Sequence, residues 1–283
     1  MRDEELAQTI RSLATDYNGR PALRLAECQR LERERGLTRR EVELAALAAG
    51  VVPLRYARNL GTLGLDGQAK LLRSAVAIVG LGGLGGHILE GLARSGVGHI
   101  FAIDGDRFEE HNLNRQALAS EANLGQPKAL AAVARAAGIN AAVTVTPHMA
   151  RLTRDRAAEL LAGADVVVDA LDNLPDRLLL QEEAASLGKP LVHGAIAGFV
   201  GQVMTVLPGD RGLRWLYPGD DVPERGVESL VGTPAATPML VAALQVQETV
   251  KLLTGIGEPL RHCLLIVDTE CGYVQRLELD RGV

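Results

Sequence analysis

Residues 75–95, AVAIVGLGGLGGHILEGLARS, constrain the fold more than any other stretch of this chain. The apolar run at 75–79 reads as a strand covered on both faces, and 84–95 carries apolar residues at helical spacing. Gly80, Gly82, Gly83 and Gly85 join the two. Gly80 permits the tight turn, Gly82 and Gly83 let a ligand approach the main chain, and Gly85 lets the helix pack closely. A helix starting near Leu84 turns free N–H groups and its positive dipole end toward the turn, which suits an anion such as a phosphate.

The remaining chain supplies the layers this unit needs. Strands are expected at 99–103, 142–146, 164–169 and 190–193, alternating with helices at 127–138, 154–162 and 176–187. Runs such as ADVVVDA fit parallel strands buried on both faces. The alternation implies an α/β fold with a doubly wound, mostly parallel, Rossmann-like sheet. After 197 the pattern changes. A strand is expected at 201–207, a helix at 237–254, and strands at 264–268 and 273–279, antiparallel near the C-terminus. Residues 208–236 are rich in Gly, Pro, Asp and Arg without periodicity, as in a lid or a crossover over a binding site. Aromatics are only 3% of the chain against 47% hydrophobic residues, so the core must be aliphatic.

Residues 1–54 read as a separate helical N-terminal extension, leaving 55–283 as the main domain. Leu6, Ile10 and Leu13 have helical spacing, as do Leu23, Leu25, Cys28 and Leu31. Thr38 and Glu41 have the order of a capping box before EVELAALAAG, which Gly50 and Pro53 end. The extension is expected to pack on the main domain or on a second subunit.

Composition removes several function classes. The net charge of −5 gives no global basic field for nucleic acid. The three cysteines, Cys28, Cys263 and Cys271, form no C-x-x-C pair, which argues against a cysteine-rich zinc site and suits a reducing compartment. The start, MRDEELAQTI, lacks the apolar core of a signal peptide, and no run approaches the roughly 18 apolar residues of a membrane helix. A cytoplasmic protein without a membrane span is expected.

Downstream residues determine which phosphate ligand fits the glycine turn. Asp104 ends the second strand, 24 positions after Gly80, where a carboxylate holds ribose hydroxyls or caps its own loop. Asp106, in DGD, is either a second ligand contact or a turn residue. Arg115 and Lys128 are what a dinucleotide site does not need, since its pyrophosphate is neutralised mainly by backbone N–H groups. A triphosphate attacked at its α-phosphorus needs cations and a metal to hold the spreading charge. Arg115 supplies a planar fork and Lys128 a compact charge, in company with Asn112, Asn114 and Gln116. Asp172 follows ADVVVDA at the carboxyl end of a parallel strand, placed to hold Mg2+. Asn173 either contacts the nucleotide or caps the next helix.

The ordered segments RYARN (55–59), GLGGLG (80–85), DGD (104–106), NLNRQ (112–116), GQPK (125–128), DALDN (169–173), KPLVHG (189–194) and GQV (201–203) resemble the ubiquitin-activating-enzyme superfamily. The match is closest to its bacterial branch, named for ThiF, MoeB and HesA, and spans about residues 55–280. The resemblance implies an ATP-binding adenylation domain. Gly83, Asp104, Asn112, Arg115, Lys128, Asp172 and Asn173 would bind ATP or its Mg2+, with His111, Leu113, Asn114 and Gln116 in the same loop. His111 stands where the family often has Ser. The resemblance also implies a homodimer in which Arg58 reaches into the partner's site. The substrate it implies is a small ubiquitin-like sulfur carrier of the MoaD/ThiS type, ending in Gly-Gly. Its carboxylate would be activated as an acyl-adenylate with release of pyrophosphate.

Two departures refine this expectation. Many relatives carry two C-x-x-C pairs for a structural zinc, which this chain lacks. Relatives that form a thioester or persulfide keep a Cys in the crossover loop, whereas 208–236 offers only Ser229 and Thr233 as nucleophilic oxygens. Cys263 and Cys271 lie near the last strands and read as small buried side chains. The enzyme is therefore expected to stop at the adenylate and pass it to a separate sulfur donor. Alternatives are the same chemistry on a peptide or a modified tRNA nucleoside, an NAD-dependent oxidoreductase, and a non-catalytic partner subunit.

Overall fold

The computed structural model describes residues 2–219, 223 and 226–279. The chain begins with α1 (Arg2–Leu13), the strands β1 (Thr15–Tyr17) and β2 (Arg20–Leu23), α2 (Leu25–Arg35), α3 (Arg39–Ala48) and β3 (Val52–Pro53). β1 and β2 form a hairpin whose two turn residues, Asn18 and Gly19, both have positive φ (54° and 78°). That is the geometry Asn-Gly favours in a two-residue hairpin. β3 adds parallel to β2, so the extension carries a three-stranded sheet that helical spacing alone does not anticipate. Leu23 therefore belongs to a strand, and Leu25 is 49% exposed. Only Cys28 and Leu31 of that expected stripe pack inside a helix. The Thr38–Glu41 capping box does form, with the Thr38 N–H donating to Glu41 Oε2 at 2.7 Å. Ile10, Leu23, Cys28, Leu31, Val42, Ala46 and Val51 form a core of their own.

The main body follows with α4 (Leu60–Arg73, kinked at Gly64), β4 (Ala75–Val79), α5 (Gly85–Ser95), β5 (His99–Ile103), α6 (Lys128–Ile139) and β6 (Thr144–His148). Next come α7 (Ala157–Leu161), β7 (Val166–Asp169), α8 (Leu174–Ser186), β8 (Leu191–Ala197) and β9 (Val200–Val206). The chain ends with α9 (Glu228–Val231), α10 (Ala236–Thr254), β10 (Cys263–Asp268) and β11 (Tyr273–Glu278). One sheet has the order β11-β10-β9-β8-β7-β4-β5-β6. β8, β7, β4, β5 and β6 are parallel, and β9, β10 and β11 join antiparallel. Alternate residues of β4 divide between the two faces. Val76 and Ile78 pack with α5, α6 and α10, while Ala77 and Val79 pack with α7 and α8.

This order puts a topological switch at β4. The chain moves to β5 and β6 on one side, then returns to β7 and β8 on the other, so a crevice opens at the carboxyl ends of β4 and β7. β6 is an edge strand shifted two residues from its expected place, to 144–148, and so contains Pro147. Proline lacks the N–H a central strand needs and is tolerated at an edge. The helix expected at 154–162 is shorter, spanning 157–161. Residues 208–236 hold a single helical turn at 212–215 and the short α9. Cys263 is buried as expected, but Cys271, expected to be a small buried side chain, is exposed, because the turn between β10 and β11 and the β11 edge strand itself are open to solvent. Among the described residues, no helix is long and apolar enough to cross a membrane.

Candidate active site

The glycines of the β4–α5 turn fall into two groups. A Cβ on Gly80 (φ +93°) would lie 2.5 Å from the Ala170 carbonyl oxygen at the end of β7. One on Gly85 would lie 1.9 Å from the Gly80 carbonyl oxygen. These two are required by the close approach of β4, β7 and α5. At Gly82 and Gly83 the nearest atoms to a Cβ belong to Gln116 and Arg115, at 3.6 and 3.5 Å, an ordinary contact distance. Their main chain is open toward the 105–128 loop. Asp104 braces the turn, since Oδ2 accepts the Leu81 N–H and Oδ1 the Asp106 N–H, each at 2.7 Å. Burial raises its carboxyl pKa against the opposing pull of Lys128.

The loop side is charged and tightly tied. Lys128 opens α6 with a buried side chain, 3.4 Å from Asp106, and its N–H donates to the Asp106 carbonyl at 3.0 Å. Arg151, which lies beyond β6 and has no local signal in the sequence, holds the other Asp106 oxygen at 3.3 Å. Burial acts to raise the Asp106 pKa, but Lys128 and Arg151 outweigh it and hold the carboxyl below the usual range. Asn112 is buried and closes a reciprocal turn with Glu109. Leu113 is half-buried, and His111 is exposed beside Glu109 at 3.4 Å. Arg115 donates to the His111 carbonyl at 3.1 Å and to Asn114 Oδ1 at 2.8 Å. Asn114 donates to the Thr233 carbonyl at 3.2 Å, which ties this loop to the crossover segment. Gln116 is buried against Gly82, and its Oε1 has no hydrogen-bond partner among the described residues.

The opposite lip begins at β7. Asp172 is exposed, and Asn173 caps α8, accepting the Asp176 N–H at 2.9 Å. Asp169, at the end of β7, is fully buried. Its Oδ1 accepts the Leu171 N–H at 3.0 Å, and its Oδ2 lies 2.7 Å from His193 Nδ1 and 3.8 Å from Arg177 Nε. Arg177 donates from Nε and Nη2 to the Leu171 carbonyl, at 3.1 and 2.6 Å. The sequence reading missed Asp169, Arg177 and His193. Their available signal was a charged or titratable residue at the end of an apolar strand or on the inner face of a helix, where such groups are rarely buried unless paired. A cavity of about 380 Å³ adjoins this lip, lined by Leu174, Arg177, Ala195, Gln202, Tyr217 and Val231 among others. Ser229's side chain lies outside the described residues, and Thr233 meets the loop through its carbonyl only. Arg58 is exposed and makes no hydrogen bond or ion pair among the described residues.

The donor set fits a phosphate-bound cation. Among the described residues no group of three or more His, Cys, Asp or Glu side chains is placed to hold a metal. Mg2+ bridged to a nucleotide needs only one or two carboxylates, because phosphates and water fill its shell. Asp172 offers one accessible carboxylate opposite the glycine turn.

The model of the ThiF family matches residues 56–281. The chain is 41% identical over 219 residues to the SAMP-activating enzyme E1 of Haloferax volcanii, covering 76% of this chain and 80% of that protein. It is 42% identical over 238 residues to the sulfur carrier protein adenylyltransferase of Thermus thermophilus, covering 81% and 88%. Its fold is that of E. coli MccB crystallised with MccA-N7isoASN, with a TM-score of 0.71 at 22% identity over 81% of this chain and 72% of that one. By its matched residues and its relatives, the chain belongs to the ThiF family.

Proposed function

We propose that this protein is an ATP-dependent adenylyltransferase acting on the C-terminal carboxylate of a small ubiquitin-like sulfur carrier that ends in Gly-Gly. One observation carries the reading. The open Gly82–Gly83 main chain faces Arg115 and Gln116 Nε2, at the switch point whose other lip bears Asp172. The glycine turn and the start of α5 would cradle phosphate, and Asp104 or Asn173 would lie near the ribose. Asp172 would hold Mg2+, which supplies charge neutralisation on the phosphates when bound. A carrier carboxylate oxygen attacks the α-phosphorus in line. The bond from that phosphorus to the β-phosphate oxygen breaks, and pyrophosphate leaves with the electron pair. The nucleophile is already ionised, so no general base is needed. Arg115, Lys128 and, across a homodimer, Arg58 of the second copy would offset the developing charge. The crossover segment has no Cys, so the adenylate would pass to a separate sulfur donor. Residues 1–54 would form a distinct unit on the adenylation domain at 55–283.

The test is ATP–pyrophosphate exchange with small carriers ending in Gly-Gly. Exchange that requires the carrier and Mg2+ is expected. Absence of exchange with every such carrier, or stabilisation by NAD but not ATP in a thermal-shift measurement, would overturn the reading.

A further inference from the structure

Asp169 and His193 are almost completely buried, and the adenylation chemistry outlined above uses neither. Their arrangement nevertheless has a direction. A neutral imidazole 2.7 Å from a carboxylate donates its Nδ1 proton to it, leaving Nε2 as an acceptor. Nε2 faces Gln202 Nε2 at 3.4 Å. The carboxamide of Gln202 must therefore turn its NH2 toward His193 and its oxygen away. That oxygen has no hydrogen-bond partner among the described residues, and Gln202 lines the cavity.

The β8–β9 register explains why these groups meet. His193 lies opposite Met204 and Ala195 opposite Gln202, so His193 and Gln202 are diagonal neighbours on one face of the sheet. The result is an oriented acceptor in a largely apolar wall. Small residues at 195 and 197 leave room there for a chain with little side-chain bulk. Asp169 links this wall to the nucleotide lip, because its other oxygen holds the Leu171 N–H one residue before Asp172.

We infer that Gln202 accepts a main-chain N–H from the last residues of the carrier tail, and that Asp169 and His193 are positioning residues that lock its amide in the accepting orientation. This rests on the adenylation reading. Apart from its reacting carboxylate, a Gly-Gly tail offers only N–H and C=O groups for recognition, and a fixed acceptor distinguishes it from a tail whose amide nitrogen is substituted.

The test uses the full chain with a carrier that supports exchange. Gln202→Leu should raise the KM for the carrier about tenfold, the size of one lost hydrogen bond, with the KM for ATP unchanged. His193→Asn keeps a donor near Asp169 but cannot reach Gln202, and should raise the carrier KM similarly. In a Gln202→Leu background it should add nothing further, the non-additivity of residues acting as one unit. An N-methylglycine in the carrier tail should weaken the wild type but not Gln202→Leu. An unchanged carrier KM in Gln202→Leu, or fully additive effects, overturns the inference while leaving adenylation standing. If His193→Asn does not fold, the Gln202→Leu and N-methylglycine results decide alone. No exchange by the wild type with any carrier overturns the adenylation reading, and this inference with it.

Discussion

The two lips of the crevice are made of different material. The β4 lip is main chain: a glycine turn whose Gly80 and Gly85 have no room for a Cβ. The β7 lip is side chains, with a buried Asp169 whose two oxygens accept hydrogen bonds from the Leu171 N–H and from His193 Nδ1. A site built from backbone tolerates no added atom where strands and helix touch, yet any phosphate can use it. A site built from buried polar side chains tolerates changes of bulk better but is sensitive to protonation and hydrogen-bond direction. The first kind suits the nucleotide, and the second suits discrimination between protein tails.

The sharpest way to break this contrast lies within the glycine turn. Gly85→Ala should destabilise the fold by about 4 kcal/mol or more, since its Cβ would overlap the Gly80 carbonyl and neither strand nor helix can move alone. Gly82→Ala adds its Cβ 3.6 Å from Gln116 and should change stability by no more than about 0.5 kcal/mol, while weakening ATP binding by about tenfold. Urea unfolding and ATP titration of the two variants measure both effects. Equal losses of stability would mean that Gly82 is as structural as Gly85 and that the turn holds no open face.

Next in size are the charged residues that face the turn. Arg115→Ala should lower the exchange rate about 100- to 1000-fold, the usual cost of removing one preorganised donor from a transition state. Arg115→Lys should recover only part of it, because a point charge does not replace the fork that also holds His111 and Asn114. Asp172→Asn should raise the Mg2+ concentration needed for half-maximal exchange and leave the melting temperature unchanged. Asp172 is exposed, and among the described residues its one hydrogen bond is from Asn173 at 3.5 Å. A large fall in melting temperature would instead make Asp172 part of the scaffold.

What the sequence made readable follows the same division. The β4 lip was legible because its requirements are local: an apolar strand, glycines at fixed spacing, and an Asp at the end of the next strand. The alternation of strands and helices along the main domain and the 75–79 and 99–103 strands were readable for the same reason. On the β7 lip Asp172 and Asn173 were legible from their place after an apolar strand, but the buried network was not, because its bonds span 24 residues from Asp169 to His193 and 9 more to Gln202. Nothing near Arg151 indicates that it will reach Asp106, 45 residues away. The Asn18–Gly19 hairpin was an opposite failure, since its signal was local but the apolar spacing of Leu23 to Leu31 outweighed it in a helical reading.

The third effect is pH-dependent and belongs to the β7 lip. Burial lowers the His193 pKa, and the Asp169 carboxylate does not fully offset this. A depressed histidine binds fewer protons in the folded state than in the unfolded one, so stability rises with pH across the interval between the two values. The contribution is complete above the unfolded value near 6.5 and is lost as pH falls below it. His87 and His99, also lowered mainly by burial, act in the same direction. Melting temperature should therefore drop on acidification from pH 7 to 5, and less so in His193→Asn. A variant that keeps the full wild-type slope would exclude His193 from the acid response.

The smallest effect separates the two meanings of Asn173. Its oxygen accepts the Asp176 N–H at the start of α8 and its Nδ2 donates to Asp176 Oδ2, each at 2.9 Å, which accounts for an Asn there. Asn173→Ala should cost about 1 kcal/mol, close to 3 °C in melting temperature for a chain of this size. Asn173→Ser keeps a side-chain oxygen for the cap without adding charge beside Asp172 and Asp176, and should regain most of that stability. If Asn173 touches the nucleotide, Asn173→Ser will fold nearly like the wild type but show a raised KM for ATP. If both stability and ATP affinity return together, the cap is its whole role, and the nucleotide contacts of the β7 lip reduce to Asp172.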